Sequence, residues 1–276
     1  MLLLEDYAFI QKLVERHAAI MLAPGQEYLV ISRLEPLARE AGLADLAALV
    51  TRLRREPYGT LHANVVEAMT TNETSFFRDI HPFQTLKRTI LPELIARPRA
   101  SRTLRLWSAA CSTGQEPYSV AMLIKDTPRL SGWNVRITAT DLSRAALERA
   151  QLGTYSALEL GRGRPPPLLN QYFDKQGDAF RVKPELRAMI DWRQMNLAES
   201  FPPLPAFDVV FLRNVLIYFS AATCTTILKN IHGSMSRNGY LLLGTTENML
   251  GLSTGFESSM VGKTMVYRPL GAAARR

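Results

Sequence analysis

The segment Leu104–Leu123 limits what this chain can fold into more than any other stretch. Its first residues, Leu104–Trp107, are apolar and typical of a short buried strand. Ser108–Gly114 are all small, and a helical pattern follows with Pro117 in its first turn, where a missing N–H costs no hydrogen bond. A strand, a tight turn of small residues and a helix predict the ligand-binding corner of an open α/β sheet. Small side chains let a ligand approach the backbone, and the first helical amides can face an anionic group.

An ordinary turn without a ligand is the alternative for this segment. The fingerprint G-x-G-x-x-G is absent, because Gly114 is the only glycine between Leu104 and Leu123. Strands and helices continue to alternate further along the chain, which predicts a mainly parallel sheet with right-handed crossovers. The predicted strands are Val135–Thr140, Ile190–Met195, Phe207–Leu212, Tyr240–Gly244 and Thr264–Arg268. The predicted helices are Ser143–Leu152, capped by Ser143, and Ala221–Met235, with a turn at Asn238–Gly239.

Residues 1–69 have a different pattern, with apolar residues at helical spacing and breaks at proline and glycine. They predict a helical N-terminal domain of four helices, with Pro36 as a local irregularity. Residues 70–79 are polar and are interpreted as a linker, and residues 80–276 as the larger domain, which begins with a helix over 80–96. Residues 154–190 interrupt the α/β pattern and are interpreted as an insertion. It contains the breaker run Gly161–Pro167 and a hairpin Phe173–Lys183 that turns at Gly177.

Composition excludes several classes of protein. The 276 residues are 47% hydrophobic and 21% charged, which suits a soluble globular protein. No stretch approaches the ~20 apolar residues of a membrane span, and the acidic Glu5–Asp6 argues against a secretion signal. The two cysteines and four scattered histidines make no disulfide framework or metal-ligand set, so we expect no metal and a reducing cytoplasm.

The net charge of +8 is unevenly distributed along the chain. Residues 1–78 carry 8 basic and 10 acidic side chains, whereas residues 79–276 carry 25 and 15. A basic larger part favours an anionic partner, such as nucleic acid, an acidic protein surface or lipid, unless it is only a solvated face. Arg52, Arg54 and Arg55 form a basic cluster in the helical segment, which is either a docking site or a favourable helix C-terminus.

Several residues that follow predicted strands are candidates for ligand contacts, since ligands of open α/β sheets lie at the carboxyl ends of strands. Asp141 ends the second strand, where a carboxylate can accept hydrogen bonds from two ribose hydroxyls; a charge that favours the next helix is the alternative. Asn196 and Leu197 follow the next strand and would flank an adenine, unless they form a plain loop. Arg213 and Asn214 follow an apolar central strand, where packing alone does not readily explain them.

Four segments carry a resemblance to a known family. They are Thr70–Asp79, Ser108–Ser119, Phe211–Phe219, which contains Arg-Asn-x-x-Ile-Tyr-Phe, and Gly239–Asn248. In this order they resemble the motifs of the chemotaxis receptor methyltransferases, the CheR family, and the similarity covers nearly the whole chain. The resemblance implies a class I S-adenosylmethionine-dependent methyltransferase domain, which is Rossmann-like α/β with a mainly parallel sheet. It also implies an all-helical N-terminal domain, a cofactor-contacting linker over 70–79 and a small β-subdomain inserted at about 154–190.

The same resemblance implies a reaction and a set of partners. The family methylates glutamate side chains on the cytoplasmic domains of chemoreceptors, giving methyl esters and S-adenosylhomocysteine for adaptation in chemotaxis. We accordingly expect a cytoplasmic monomer without nucleic-acid partners or membrane insertion. Some members bind a receptor C-terminal peptide through a longer, glycine-containing loop of the β-subdomain. The corresponding loop, Asp174–Ala179, is short, which argues against such binding.

Individual residues receive roles through the resemblance. Tyr218 matches an active-site tyrosine, and Arg78 is expected to position either the cofactor or the incoming carboxylate. Arg52, Arg54 and Arg55 become candidates for receptor docking. The cofactor contacts that the resemblance implies are Asn72, Thr74, Arg78, Glu116, Asp141, Asn196, Leu197, Arg213 and Asn214.

Two other classes of function compete with this hypothesis. A nucleic-acid methyltransferase would suit the basic region, but amino-methylating enzymes of that kind usually carry Asn/Asp-Pro-Pro-Tyr where this chain has Arg213–Leu216. A non-catalytic receptor-binding module would be indicated by loss of Asp141 or Arg78, and both are present. No motif places a histidine or lysine near Arg213–Tyr218. This agrees with a glutamate acceptor, which is ionised at pH 7 and needs no general base.

Overall fold

The computed structural model describes residues 2–98, 101–161, 171–252 and 254–271. These residues form two compact units. The first contains residues 1–71 and 218–224, and the second contains residues 72–217 and 225–276. No helix in the described part of the chain is long and apolar enough to cross a lipid bilayer.

The first unit is built on the four predicted helices, α1 (Leu4–Ala18), α2 (Glu27–Glu40), α3 (Leu46–Arg55) and α4 (Thr60–Ala68). Each buries an apolar stripe, as the three- and four-residue spacing predicts. Asp45 begins α3 by accepting a hydrogen bond from the Ala48 N–H at 2.8 Å. Pro36 lies inside α2 without ending the helix. The Arg33 guanidinium donates to the carbonyls of Met69 and Thr70, which fixes the end of this unit against α2.

The first helical stretch of the second unit is one that the sequence predicts as a single helix over 80–96. The structure divides it into α5 (His81–Thr85), a π-helical turn (Leu86–Ile90) and α6 (Leu91–Ala96). The remaining helices are α7 (Gln115–Lys125), α8 (Arg144–Leu152), α9 (Ala157–Gly161), α10 (Pro184–Arg187) and α11 (Ala221–Gly233). Short 3₁₀ turns occur at Pro128–Leu130 and Leu216–Tyr218. Ser143 caps α8 as predicted, since its hydroxyl accepts from the Ala146 N–H.

A seven-stranded sheet forms the centre of the second unit, and a separate three-stranded sheet accompanies it. The ten strands are β1 (Thr103–Ala109), β2 (Asn134–Asp141), β3 (Thr154–Ser156), β4 (Phe173–Gln176), β5 (Ala179–Val182), β6 (Ile190–Gln194), β7 (Phe207–Leu212), β8 (Met235–Leu243), β9 (Phe256–Val261) and β10 (Thr264–Pro269). The large sheet has the order β6-β2-β1-β7-β8-β10-β9, with β6 to β8 parallel and β10 antiparallel to both neighbours. The carboxyl ends of five strands therefore meet at one edge.

Burial explains why the central strands were recognisable in the sequence. Every residue of β7 is buried, as expected for a parallel strand covered on both faces, so the strand reads as a continuous apolar run. By contrast, β9 was not predicted, because its residues from Glu257 to Met260 are exposed and give no alternating pattern.

The predicted turn at Asn238–Gly239 is wrong. Both residues lie within β8, where the pairing with β7 shifts register between Phe207 and Val209. Such a bulge brings backbone close, and a Cβ on Gly239 would lie 3.0 Å from the Ser236 carbonyl oxygen and 3.1 Å from that of Phe207. The glycine signal therefore marks an irregularity inside a strand rather than its start.

The insertion contains the small antiparallel sheet, with the order β3-β5-β4. The predicted hairpin is confirmed: β4 and β5 are joined through Gly177, which has φ +61°. Residues 162–167 of the predicted breaker run lie outside the described residues.

Candidate cofactor site and family

The turn between β1 and α7 is strained and tightly bonded. Ala110, Ser112 and Gly114 have φ values of +58°, +52° and +96°, so the backbone reverses sharply through the left-handed region. The Ser112 N–H donates to Asp141 Oδ2 at 2.7 Å, and the Ser112 hydroxyl donates to the Asn72 carbonyl at 2.9 Å. One residue of the turn thus joins the end of β2 to the segment that precedes the sheet.

Gly114 is required by its surroundings as well as by its backbone angle. A Cβ there would lie 2.8 Å from Ala150 Cβ, 3.0 Å from the Tyr155 hydroxyl and 3.1 Å from the Trp192 ring. The Tyr155 hydroxyl also donates to the Thr113 carbonyl at 2.6 Å. The turn is therefore held in place by one ring from β3, inside the insertion, and one from β6, which follows it.

Asp141 lies at the carboxyl end of β2, as the sequence predicts. Its carboxylate is buried and accepts from the N–H groups of Ser112 and Ser143, at 2.7 and 2.9 Å. Asn196 and Leu197 follow β6. The Asn196 amide donates to Glu199 at 2.9 Å, and Leu197 is buried.

Arg213 and Asn214 follow the end of β7, as expected, but ion pairing explains the arginine. Its side chain is 1% exposed, and it donates to Glu116 Oε2 and to Asp79 Oδ2, both at 2.8 Å. It also donates to the Arg78 carbonyl at 2.8 Å. Glu116, near the start of α7, accepts in addition from the Ser108 hydroxyl at 2.7 Å. The guanidinium thus joins the end of β7 to α7 and to the segment before α5.

The segment 72–79 belongs to the site rather than being a free spacer. Phe76 and Phe77 are buried, and the Phe77 N–H donates to the Ser119 hydroxyl at 2.9 Å. Arg78 is half-buried and donates to the Glu73 carbonyl at 2.9 Å. Asn72 is exposed and Thr74 half-buried, while Asp79 accepts from Arg213. The segment therefore carries three of the residues that the resemblance assigns to the cofactor.

Tyr218 and the arginine cluster lie in the first unit. Tyr218 ends the 3₁₀ turn Leu216–Tyr218, and its carbonyl accepts from the Met21 N–H at 2.9 Å. Arg54 pairs with Asp6 at 3.1 Å, and its guanidinium lies 4.8 Å from the centre of the Phe9 ring. Arg52 pairs with Glu56, and Arg55 is exposed. Arg54 therefore links α3 to α1, in contrast to its two neighbours.

Sequence reasoning did not single out Glu247, which the structure places at the same edge of the sheet. Its buried carboxylate accepts from four backbone N–H groups, those of Asn214, Val215, Leu216 and Gly244. Asp79 was likewise not singled out. The only signal for Glu247 was its place inside the matching segment Gly239–Asn248.

The acidic groups around the turn affect Cys111, which is buried within it. Burial raises the pKa of its thiol well above the usual range, and the charges of Asp141 and Glu116 raise it further. The thiol is therefore protonated at neutral pH and is not a nucleophile.

Among the described residues, no group of three or more histidine, cysteine or acidic side chains is arranged to hold a metal ion.

Comparison with known proteins decides the family. Residues 5–70 match the family described as "CheR methyltransferase, all-alpha domain", and residues 72–265 match "CheR methyltransferase, SAM binding domain". The chain belongs to the CheR methyltransferase family. The family and the fold class predicted from the sequence are both confirmed.

Relatives within the CheR family match along nearly their full length. Chemotaxis protein methyltransferase 1 of Pseudomonas aeruginosa is 42% identical over 95% of this chain and 97% of that protein. Chemotaxis protein methyltransferase Cher2 of Pseudomonas putida is 40% identical over the same shares. The chemotaxis protein methyltransferase of Vibrio parahaemolyticus is 39% identical over 96% of each chain. A solved TehB-like SAM-dependent methyltransferase of Corynebacterium glutamicum, with 12% identity and a TM-score of 0.38 over 69% of this chain and 94% of that chain, is too distant to add to the assignment.

We expect Gly114→Ala to lower the free energy of unfolding by about 2–4 kcal/mol, because it adds backbone strain and a steric clash. The matched control is Gly177→Ala. Gly177 also has positive φ, but a Cβ there would meet no atom within 4 Å, so only the strain of about 1 kcal/mol should appear. Urea denaturation followed by circular dichroism measures both variants. Equal losses would show that the turn has room for a side chain.

Proposed function

We propose that this CheR-family chain transfers a methyl group from S-adenosylmethionine to glutamate carboxylates in the cytoplasmic domains of chemoreceptors. The products are glutamyl methyl esters and S-adenosylhomocysteine, and the modification serves adaptation in chemotaxis. The main structural support is the Asp141 carboxylate beside the small-residue turn Ala110–Gly114, at the carboxyl edge of a mainly parallel sheet. The names of the relatives support a chemotaxis role. We further propose that the chain works in the cytoplasm as a monomer.

The turn suits S-adenosylmethionine in its chemistry. Its residues are small, which lets a ligand approach the backbone, and the Asp141 carboxylate lies beside it. We infer that Asp141 holds the ribose hydroxyls and that Asn196 and Leu197 flank the adenine. Asn72, Thr74, Arg78, Glu116 and Asn214 would line the remainder. Since Nη1 and Nη2 of Arg213 donate to Glu116, Asp79 and the Arg78 carbonyl, we assign the side chain to holding these groups in place.

The acceptor carboxylate needs little activation by the protein. S-adenosylmethionine supplies a methyl group bound to a cationic sulfonium, which is an electrophile. A glutamate with a pKa of about 4.3 is already ionised at neutral pH, so no residue has to remove a proton. The protein's contribution is then positioning and exclusion of water, and positioning alone can supply ~7–11 kcal/mol.

Arg78 and Tyr218 are the residues we assign to the acceptor. Arg78 would orient the incoming carboxylate; very strong binding would stabilise the ground state and slow the reaction, so we assign it positioning only. Tyr218 would orient the carboxylate through its hydroxyl or present its ring to the sulfonium cation.

The decisive experiment is to methylate purified receptor cytoplasmic domains with labelled S-adenosylmethionine and then treat the protein with alkali. Because carboxyl esters hydrolyse in base, we expect the label to leave as volatile methanol. Label that stays on the protein would indicate N-methylation and would refute the glutamate assignment. Receptor domains with the acceptor glutamates replaced by alanine are the control.

Asp141→Asn should weaken binding of S-adenosylmethionine by about 1–3 kcal/mol, because one charged hydrogen-bond acceptor is lost. Isothermal titration calorimetry measures the affinity. Asp191→Asn is the matched control, since Asp191 lies on the neighbouring β6 and pairs with Arg193. Unchanged affinity in Asp141→Asn would remove Asp141 from the cofactor site.

Receptor docking by the arginine cluster can be tested at Arg52 and Arg55. Arg52→Ala and Arg55→Ala should raise KM for receptor at low salt without changing cofactor affinity, because exposed charges attract an acidic partner and are screened by salt. Arg54 holds α1 and is therefore left intact. Arg144→Ala, which removes an exposed arginine from α8, is the control. A KM that does not change at low ionic strength would make the cluster a solvated helix end.

A further inference from the structure

Glu247 accepts four backbone hydrogen bonds at the carboxyl edge of the sheet. Its Oε1 accepts from the Val215 and Leu216 N–H groups at 2.8 and 2.7 Å. Its Oε2 accepts from the Asn214 and Gly244 N–H groups, both at 2.7 Å. The residue is 9% exposed, so these bonds form away from bulk water.

The number of acceptors matches the number of donors. A carboxylate offers about four lone-pair sites to hydrogen-bond donors. The Gln amide has the same size but offers only two, and its NH₂ group would face the other two backbone N–H groups. Four backbone dipoles pointing at one carboxylate also stabilise its charge in a buried place. This arrangement therefore requires an acid, and it leaves that acid without free capacity to act as a general base.

The segment that Glu247 binds is the one that leaves β7. Asn214 has φ +57°, an unfavourable region for a residue with a side chain, and such a conformation persists only where surrounding bonds impose it. Gly244 completes the arrangement. A Cβ there would lie 2.7 Å from Glu247 Oε2 and 2.8 Å from Asn214 Nδ2, so the glycine lets both side chains approach.

A cavity of about 230 Å³ lies beside this cluster and is lined by Gly244, Thr245 and Glu247 together with Lys263 and Tyr267. Leu243, the last residue of β8, also lines it, so the cavity reaches the carboxyl end of that strand. Ligands of open α/β sheets bind at this edge, so the cluster lies where positioning affects chemistry.

We propose that Glu247 is a positioning residue for methyl transfer, which acts by holding Asn214 in its strained conformation. The inference rests on the proposed function of the site. Glu247 does not touch the reacting groups. Its carboxylate fixes the direction in which the Asn214 side chain leaves the backbone, and Asn214 is the residue that would contact the cofactor in the proposed function.

The test compares Glu247→Gln with the parent in kcat, in KM for receptor and in the affinity for S-adenosylhomocysteine. We expect kcat to fall between about tenfold and a hundredfold, since small misplacements in a site have effects of that size. KM for receptor should stay within about twofold. The double variant Glu247→Gln/Asn214→Ala should be no slower than the slower single variant, because both changes disturb the same contact.

Two further variants separate positioning from stability. Asp208→Asn removes a buried carboxylate at the opposite end of β7, where it accepts from the Arg105 N–H, and should lower the melting temperature without changing kcat. Gly244→Ala forces a Cβ against the same carboxylate and should lower kcat with the charge intact. If Glu247→Gln does not fold, the kcat of Gly244→Ala decides the test in its place.

Three results would overturn the proposal. The first is a kcat within twofold of the parent in folded Glu247→Gln or Gly244→Ala. The second is a multiplicative loss in the double variant, and the third is an equal loss of kcat in Asp208→Asn. These outcomes are independent of the acceptor: if the label proves to be on nitrogen, the proposed function fails, while the same kcat ratios still decide the role of Glu247.

Discussion

The buried ion pairs of Arg213 connect the parts of the second unit that form the candidate site. Removing a guanidinium from water is costly and is offset only when opposite charges and hydrogen bonds surround it. Here Glu116 and Asp79 supply the charges, and the Arg78 carbonyl supplies a further acceptor. The three partners come from α7 and from the segment before α5. The end of β7, the start of α7 and that segment are thus tied together, because any separation would leave buried charges unpaired.

Backbone strain is concentrated in the same region. Among the described residues, the non-glycine positions with positive φ are Ala19, Phe77, Asp79, Ile80, Ala110, Ser112 and Asn214. All except Ala19, which ends α1, lie in the three segments that meet at the carboxyl edge of the sheet. Strained conformations of this kind persist when surrounding contacts determine them, and they cluster at functional sites. The contacts that hold them here are side chain to backbone, from Ser119 to Phe77, from Asp141 to Ser112 and from Glu247 to Asn214.

The distance over which an interaction acts explains what could be predicted from the sequence. Phe207–Leu212 was predicted with its observed bounds, because burial on both faces leaves a continuous apolar run. Ser143 was predicted as a cap because its partner lies three residues away. Three of the four partners of Glu247 lie about thirty residues distant, and those of Arg213 lie about a hundred or more distant, so no local pattern reveals these contacts. The predicted turn at Asn238–Gly239 is wrong for the opposite reason. The local sequence favours a turn, but pairing with β7 keeps both residues in β8.

The bonds of the segment 72–79 have a consequence for how this chain can be divided. Its Asn72 carbonyl accepts from the turn after β1, its Phe77 amide bonds α7, and Asp79 pairs with the end of β7. The sequence predicts a linker over 70–79 that contacts the cofactor, and in the structure residues 72–79 are bonded into the second unit. A cut after Asp79, at the apparent domain border, would remove these bonds. Arg213 would then lose the Arg78 carbonyl and the Asp79 carboxylate as hydrogen-bond acceptors. The natural place to separate the two units lies upstream of Asn72, where the polypeptide passes from one unit to the other.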